Sequence, residues 1–345
     1  MFVCKIAMGK QSSIVFFFLL MTGPALGQEF AHGAAAFTHL GASARAIGMG
    51  NAYTALAEED ALGMLWNPSS IASNRSSRFS VTDRVIGDSE FGMGGTGSFV
   101  SAGGSLPVTN SLAAGFGLMY FGVDGIEQYN NRAQFVGDFS SSEMLFLFTL
   151  ARIQEPLSIG VNLKYIRQAF SGLSANLAAE SAAGLGVDVG FLAHFWRPLR
   201  IGFTLKSRVD IERDRVPTSA CVGVAYDRLL RIGGMKPRLV LGLDLEQIKK
   251  RPLRFHLGLG LERLIDYRNF GLSVRVGRNN RILEQRLGVL LTDSFRNEVE
   301  AEDLVGESAR WGVGVGINRG GLSLDYTFSR GQLHDPHYVS LSFEY

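Results

Sequence analysis

Few residues in this sequence have the type and spacing to do chemistry, and the neighbours of each decide what that chemistry could be. Gly92-Met93-Gly94-Gly95-Thr96-Gly97 fits the glycine spacing of a dinucleotide-binding turn. Such a turn holds a pyrophosphate only when a helix N-terminus follows it. Ser98 to Leu106 reads instead as a continuing strand, so the fingerprint lacks its helix. His334-Asp335-Pro336-His337 supplies ligand types for a metal, but within a turn and with no third partner, and it reads as a loop. There is no nucleophile elbow and no zinc-binding helix. No enzyme activity, cofactor or metal is therefore expected. What remains is a set of charges buried in apolar company: Lys164, Asp188, Arg200, Lys206, Asp244, Glu246, Arg254, Glu262, Arg275 and Asp325. Their mixed sign suits mutual pairing better than an ion filter, which would favour one sign.

The elements that carry these charges share one pattern. Leu253, Phe255, Leu257, Leu259 and Leu261 alternate with Arg254, His256, Gly258, Gly260 and Glu262. A period of two puts the first set on one face of a strand and the second on the other. Leu199 to Lys206, Leu239 to Glu246 and Leu322 to Ser329 repeat it, each with one oily face and one of charges, hydroxyls and glycine. Strands of about ten residues match a tilted membrane span, whereas strands of soluble sandwiches are nearer five or six. A dry sandwich core could not accept mid-strand arginine, and a lipid-facing arginine at the midplane costs roughly 2–4 kcal/mol. Arg200, Arg254 and Arg275 therefore face a lumen, which fixes the register of their strands.

Composition agrees. Of 345 residues, 46% are hydrophobic and only 19% charged, with 42 glycines and 9 prolines. Beyond the first thirty or so residues no apolar run is long enough for a helical span. The net charge of +2 excludes the basic footprint of a nucleic-acid binder. At the N-terminus, Lys5 and Lys10, the run Ile14 to Met21, and Pro24 before Ala25-Leu26-Gly27 form a secretory signal over residues 1–27, with Gln28 first after cleavage. Cys221 would then stand alone as a small strand residue with no disulfide partner. Export and strand pattern together predict an all-β fold: a transmembrane antiparallel barrel over 77–345, located in a bacterial outer membrane. Candidate strands run from about residue 77 to the end. They make fourteen if the excursion 279–308 is external, or sixteen if it holds two more strands, since such barrels have even strand numbers. The connections near 124–141, 170–183 and 279–308 are expected on one side of the membrane, with the short turns on the other. Val339, Leu341, Phe343 and Tyr345 form an outward apolar row that resembles the signal read by barrel-assembly machinery.

Residues 28–76 show no alternation. Gly41 to Ser73 is rich in Ala and Gly, short-helical in character, and suited to pack as a plug against lumen glycines such as Gly202, Gly258, Gly260, Gly312, Gly314 and Gly316. Within it, Ala44-Arg45, Gly48-Met49-Gly50, Asp60 and Trp66-Asn67-Pro68 resemble the N-terminal signature of the PorV/PorQ group, related to FadL-type transporters. The resemblance implies a hatch closing a fourteen-stranded barrel, with Arg45, Gly48, Gly50, Asp60, Trp66, Asn67 and Pro68 as hatch residues. Asn67-Pro68-Ser69 stands where those families carry Asn-Pro-Ala. The resemblance also implies one of two roles: passage of hydrophobic or lipidic compounds, or carriage and docking of cargo in type IX secretion. The acidic stretch with Glu298, Glu300, Glu302 and Asp303 is either a partner surface or a solvated loop. Expected partners are outer-membrane lipid, the assembly machinery, and a hydrophobic ligand or secretion cargo, and not nucleic acid.

Overall fold

The computed structural model describes residues 35–85, 96–130, 132–172, 181–196, 198–212, 214–231, 236–249, 253–264, 266–267, 270–281, 311–330 and 335–345. The expected signal segment, Gly92 to Gly95, the candidate strand 283–292, the acidic stretch and His334 lie outside them.

The alternating stretches form fourteen long strands: β1 (Arg78–Val85), β2 (Thr96–Pro107), β3 (Leu112–Tyr129), β4 (Phe135–Gln154), β5 (Leu157–Ser171), β6 (Ser181–Trp196), β7 (Leu199–Lys206), β8 (Ser219–Leu229), β9 (Arg238–Ile248), β10 (Arg254–Glu262), β11 (Phe270–Arg281), β12 (Trp311–Arg319), β13 (Leu322–Arg330) and β14 (His337–Glu344). Each pairs antiparallel with its neighbours in sequence, and β1 pairs with β14 from Arg78↔Glu344 to Val85↔His337, so the sheet closes. A two-residue strand, Asp266–Tyr267, pairs only with the start of β11 and stands outside the ring. β11 and β12 pair directly, Arg278 opposite Trp311, which leaves no place in the ring for two further strands. The barrel is therefore fourteen-stranded. Among the described residues no helix is long and apolar enough to cross a membrane, so any crossing is made by strands.

β5 shows why the sequence folds this way. Leu157, Ile159, Val161, Leu163 and Tyr165 are each 38–53% exposed, while Ser158, Asn162 and Lys164 between them are buried. Polar-in and apolar-out is the reverse of a water-soluble sheet, and the apolar row continues around the wall through Leu241, Leu257, Val313, Leu324 and Leu341. So large an apolar belt suits hydrocarbon, not water.

The wall is uneven in height. β3 and β4 have 18 and 20 residues, against 8 in β7 and 9 in β12 and β13. This corrects the expected connection near 124–141: β3 and β4 run on through it, and only 130–134 joins them. Ile126, Tyr129, Phe135, Val136 and Phe139 favour extended backbone, and the pairing resumes past an irregularity between Val123 and Ile126. The short turns after β2, β4, β6 and β12 fall at the end that holds Arg78 and Glu344, and the connections after β3, β5 and β11 fall at the other.

Residues 35–76 form only short turns: one helix of five residues, α1 (Ala44–Gly48), and 3-10 turns at Ala36–His39, Ala57–Glu59, Gly63–Leu65 and Pro68–Ser73. Frequent glycine, and Pro68 at the start of the last turn, leave no longer helical run. This inner segment touches β4, β5 and β6 on one side and β10 to β14 on the other, against their buried faces. A chain that meets opposite walls of a closed ring on their inner faces lies within the ring.

Candidate functional site

Inside the barrel the first determinant is the absence of side chains. Gly242, Gly258, Gly277 and Gly312 are directly paired across β9, β10, β11 and β12, forming a bare shelf on the inner wall. The backbone from Ile47 to Ala52 lies on it: a Cβ at Gly258 would stand 2.5 Å from Met49 O, one at Gly242 2.6 Å from Ala52 O, and one at Gly277 would run into Gly50 N. Gly50 itself has φ +64°, where a side chain would be strained and would also meet the backbone of Arg278. Gly48 packs beside Thr327 and Gly314. On the opposite wall, Gly160 and Gly190, paired across β5 and β6, receive Asn67 and Pro68, and Gly202 receives Thr54.

Asn67 uses its whole amide. Nδ2 donates to Thr54 O at 2.9 Å and to Phe191 O of the wall at 3.0 Å, while Oδ1 accepts from Ser69 N and Ser69 Oγ at 3.1 and 2.7 Å. The acceptances cap the turn that Pro68 opens, and the donations tie that turn to the wall. Trp66 meets Tyr53 edge-on at 5.3 Å, and its carbonyl accepts from Thr204 Oγ1. Asp60, buried, accepts from Ser43 Oγ at 2.5 Å and Leu62 N at 2.9 Å. Asp244 of β9 accepts from Tyr53 N and Thr54 N at 2.9 and 2.8 Å, a wall carboxylate holding a loop of the inner segment.

Toward the short-turn end, charges of the inner segment and the wall join in one network. Arg275 bridges Asp325 at 2.5 Å and Glu262 at 3.3 Å. Glu262 in turn takes Arg45 at 2.7 Å, and Arg45 reaches Glu59 at 3.0 Å. Arg238 joins Glu59 at 2.5 Å and also Asp227, which binds Arg200 at 2.8 Å. Arg200 holds Glu58 at 2.6 Å, and His194 meets the same carboxylate at 3.1 Å. Burial by itself would raise the Glu58 carboxyl, but the His194 hydrogen bond and the Arg200 guanidinium hold it below the ordinary carboxylate range. Arg45 and Arg238 likewise outweigh burial at Glu59.

The other anticipated charges are placed separately. Lys164 and Asp188 form a buried pair at 2.6 Å in mid-wall. Arg254, Glu246 and His256 cluster at the far end of β9 and β10, with separations of 3.9 and 3.5 Å to Glu246. Lys206 sits beside Asp188 in register but joins no ion pair among the described residues. His337 lies in β14, its Nδ1 2.6 Å from Tyr326 Oη, and no metal-binding cluster occurs among the described residues. Cys221 is a half-buried strand residue 3.1 Å from Thr54 Oγ1.

Sequence reasoning missed a second region. On the inner face of β2 to β5, Phe99, Met119, Leu145, Leu147 and Ile166 are buried together with Met64 and Ile71 of the inner segment. Their strands are thus apolar on both faces over this stretch, and the run Met144 to Phe148, with no polar residue, was the available signal. Phe37 packs there too, as do Val209 and Ile211, which belong to a small ribbon between β7 and β8, Val209–Ile211 paired with Asp214–Val216. The ribbon turns inward onto Gly184 and Gly186 of β6.

A closed barrel of this strand number has known counterparts. The chain shares the fold of the FadL-type outer-membrane transporters. The Ralstonia pickettii toluene transporter TbuX superposes with a TM-score of 0.57 at 12% identity, over 89% of this chain and 99% of that one. The Pseudomonas putida toluene transporter TodX gives 0.56 at 11%, over 92% and 98%, and a Pseudomonas aeruginosa FadL homologue 0.54 at 11%, over 88% and 98%. No protein-family model matches the sequence, and no curated protein does. These structural neighbours are transporters, and at such identities the likeness concerns the fold.

Proposed function

We propose that this chain is a bacterial outer-membrane protein that admits hydrophobic compounds through a lumen gated by its N-terminal segment, residues 28–76 of the exported chain. The observation that carries this reading is the apolar patch of Phe99, Met119, Leu145, Leu147 and Ile166 on the inner wall. A barrel serving only as a water-filled pore has a polar interior; these apolar side chains, buried beneath the inner segment and the small ribbon, would offer an uncharged molecule a surface to leave water for once that cover moves. The apolar belt outside makes lipid the barrel's surrounding partner, and the outward row of Val339, Leu341, Phe343 and Tyr345 is what the assembly machinery would engage. The FadL-type fold supports the same reading.

The test is uptake of radiolabelled toluene by cells that do or do not produce the protein. Faster uptake with the protein is expected, together with little ion conductance in planar bilayers, because an inner segment that plugs the lumen would interrupt the water path. Deleting Gly33 to Ser73 should open a large, weakly selective pore. Equal toluene uptake with and without the protein would remove the reading.

A further inference from the structure

The ribbon between β7 and β8 is built to occupy the lumen and to leave it. Its two faces differ. Val209 and Ile211 are buried in the apolar patch, and Val216, paired with Val209, packs against it. Arg208, Asp210 and Arg215 lie exposed, with Asp210 joined to Arg208 at 2.5 Å and Arg215 at 3.5 Å. Val209 and Ile211 belong to one buried apolar cluster with Phe37, Phe99 and Ile166, and Val209 lies against Gly184 and Gly186 of β6.

The ribbon's attachment is narrow. It is tied to the wall at Ser207, whose Oγ accepts from Val187 N at 2.8 Å and whose N–H donates to Asp188 Oδ1 at 3.1 Å. The Ser207 carbonyl accepts from Lys164 Nζ at 3.0 Å, and the same ammonium holds Asp188 at 2.6 Å. Beyond this clasp the ribbon pairs with itself, not with the barrel ladder, because β7 ends at Lys206 and β8 begins at Ser219. Moving it out therefore breaks no strand pairing of the wall.

We propose that the ribbon is a built-in occupant of the apolar compartment, displaced by an incoming uncharged hydrophobic molecule, with Lys164, Asp188 and Ser207 as the hinge clasp. This rests on the reading that hydrophobic compounds enter the lumen. An amphipathic ribbon seated where the solute would bind keeps the patch dry when empty. It also sets a threshold: a molecule gains the patch only by supplying contacts as good as Val209 and Ile211 now make.

The experiment uses the full chain in outer-membrane vesicles, with Cys221→Ser and Cys4→Ser removing the native thiols and Val209→Cys placing one on the buried side of the ribbon; Ile211→Cys serves if the first does not assemble. Labelling by a water-soluble maleimide is followed with and without toluene, and Ala225→Cys, buried on β8 outside the patch, reports on general loosening. Expected is slow labelling at rest, a rise of several-fold with toluene at Val209→Cys, and none at Ala225→Cys. Adding Lys164→Gln should raise the resting rate. Toluene uptake by cells that proceeds with no change in ribbon labelling would overturn the proposal. Labelling that rises while uptake is absent would remove the transport reading and leave the displacement standing. A parallel rise at both thiols would also overturn it, since toluene would then be loosening the whole fold.

Discussion

Along β6 to β13 the inner wall meets the inner segment through glycines, hydrogen bonds and ion pairs, whereas along β2 to β5 it presents Phe99, Met119, Leu145, Leu147 and Ile166. The first side is specific: its charges are buried, each needs a partner, and its glycines admit backbone in one placement. The second is permissive, because apolar contact is non-directional and any well-shaped hydrocarbon satisfies it. The difference separates two jobs within one cavity. One wall holds the inner segment by directional bonds; the other meets it at Met64 and Ile71 chiefly through apolar contact.

Changes that strike the specific side should therefore loosen the segment most. Arg45→Met takes one cation from Glu262 and Glu59, which keep Arg275 and Arg238, so the cost falls at or below the roughly 3–5 kcal/mol of breaking a buried pair from one side. Ion conductance in planar bilayers should rise strongly, and an unchanged closed barrel would show that the network does not hold the segment. Asn67→Leu leaves the Thr54 and Phe191 carbonyls without their donor, at roughly 1–3 kcal/mol for each buried acceptor. A smaller but clear leak is expected in the same recordings.

Acidification should act on the same side. Glu58 and Glu59 are held below the ordinary carboxylate range, so their contribution is fully present above about pH 4 and is lost as pH falls through their lowered values. Leak should thus grow on titration below about pH 4, whereas in Glu58→Gln it should already be raised at neutral pH and grow less on acidification; growth through neutral pH instead would implicate other groups. Least affected should be the permissive side. Ile166→Val removes one buried methylene, at about 0.5–1.5 kcal/mol. It should leave conductance unchanged and alter toluene uptake alone, and a leak as large as that of Asn67→Leu would erase the distinction between the two walls.

Much of this was legible from alternation. Mid-strand charges at Arg200, Arg254 and Arg275 forced the register, because neither lipid nor a dry core accepts them, and all three face inward. The bare wall and the small-residue segment could be matched in kind, though not the pairing of particular glycines, which depends on strand register across neighbours. Glu58, Glu59, Asp227 and Arg238 were not singled out, since ordinary charges near turns become a network only when the ring brings their ends together. The apolar compartment stayed hidden for the opposite reason: a strand apolar on both faces carries no alternation to read. The ribbon is shorter still, three residues a side, below the length at which periodicity means anything.

The shelf of Gly242, Gly258, Gly277 and Gly312 bears on the mechanics of the wall. Glycine in a strand interior costs roughly 0.5–1 kcal/mol relative to alanine and gives neighbours no side chain to lean on. Where the barrel accommodates the inner segment it is thinnest, and the backbone from Ile47 to Ala52 replaces the missing mass. The segment is thus a brace as well as an obstruction. Withdrawing it would leave a compliant band of four adjacent strands, so the barrel that opens is also a softer barrel than the one that is shut.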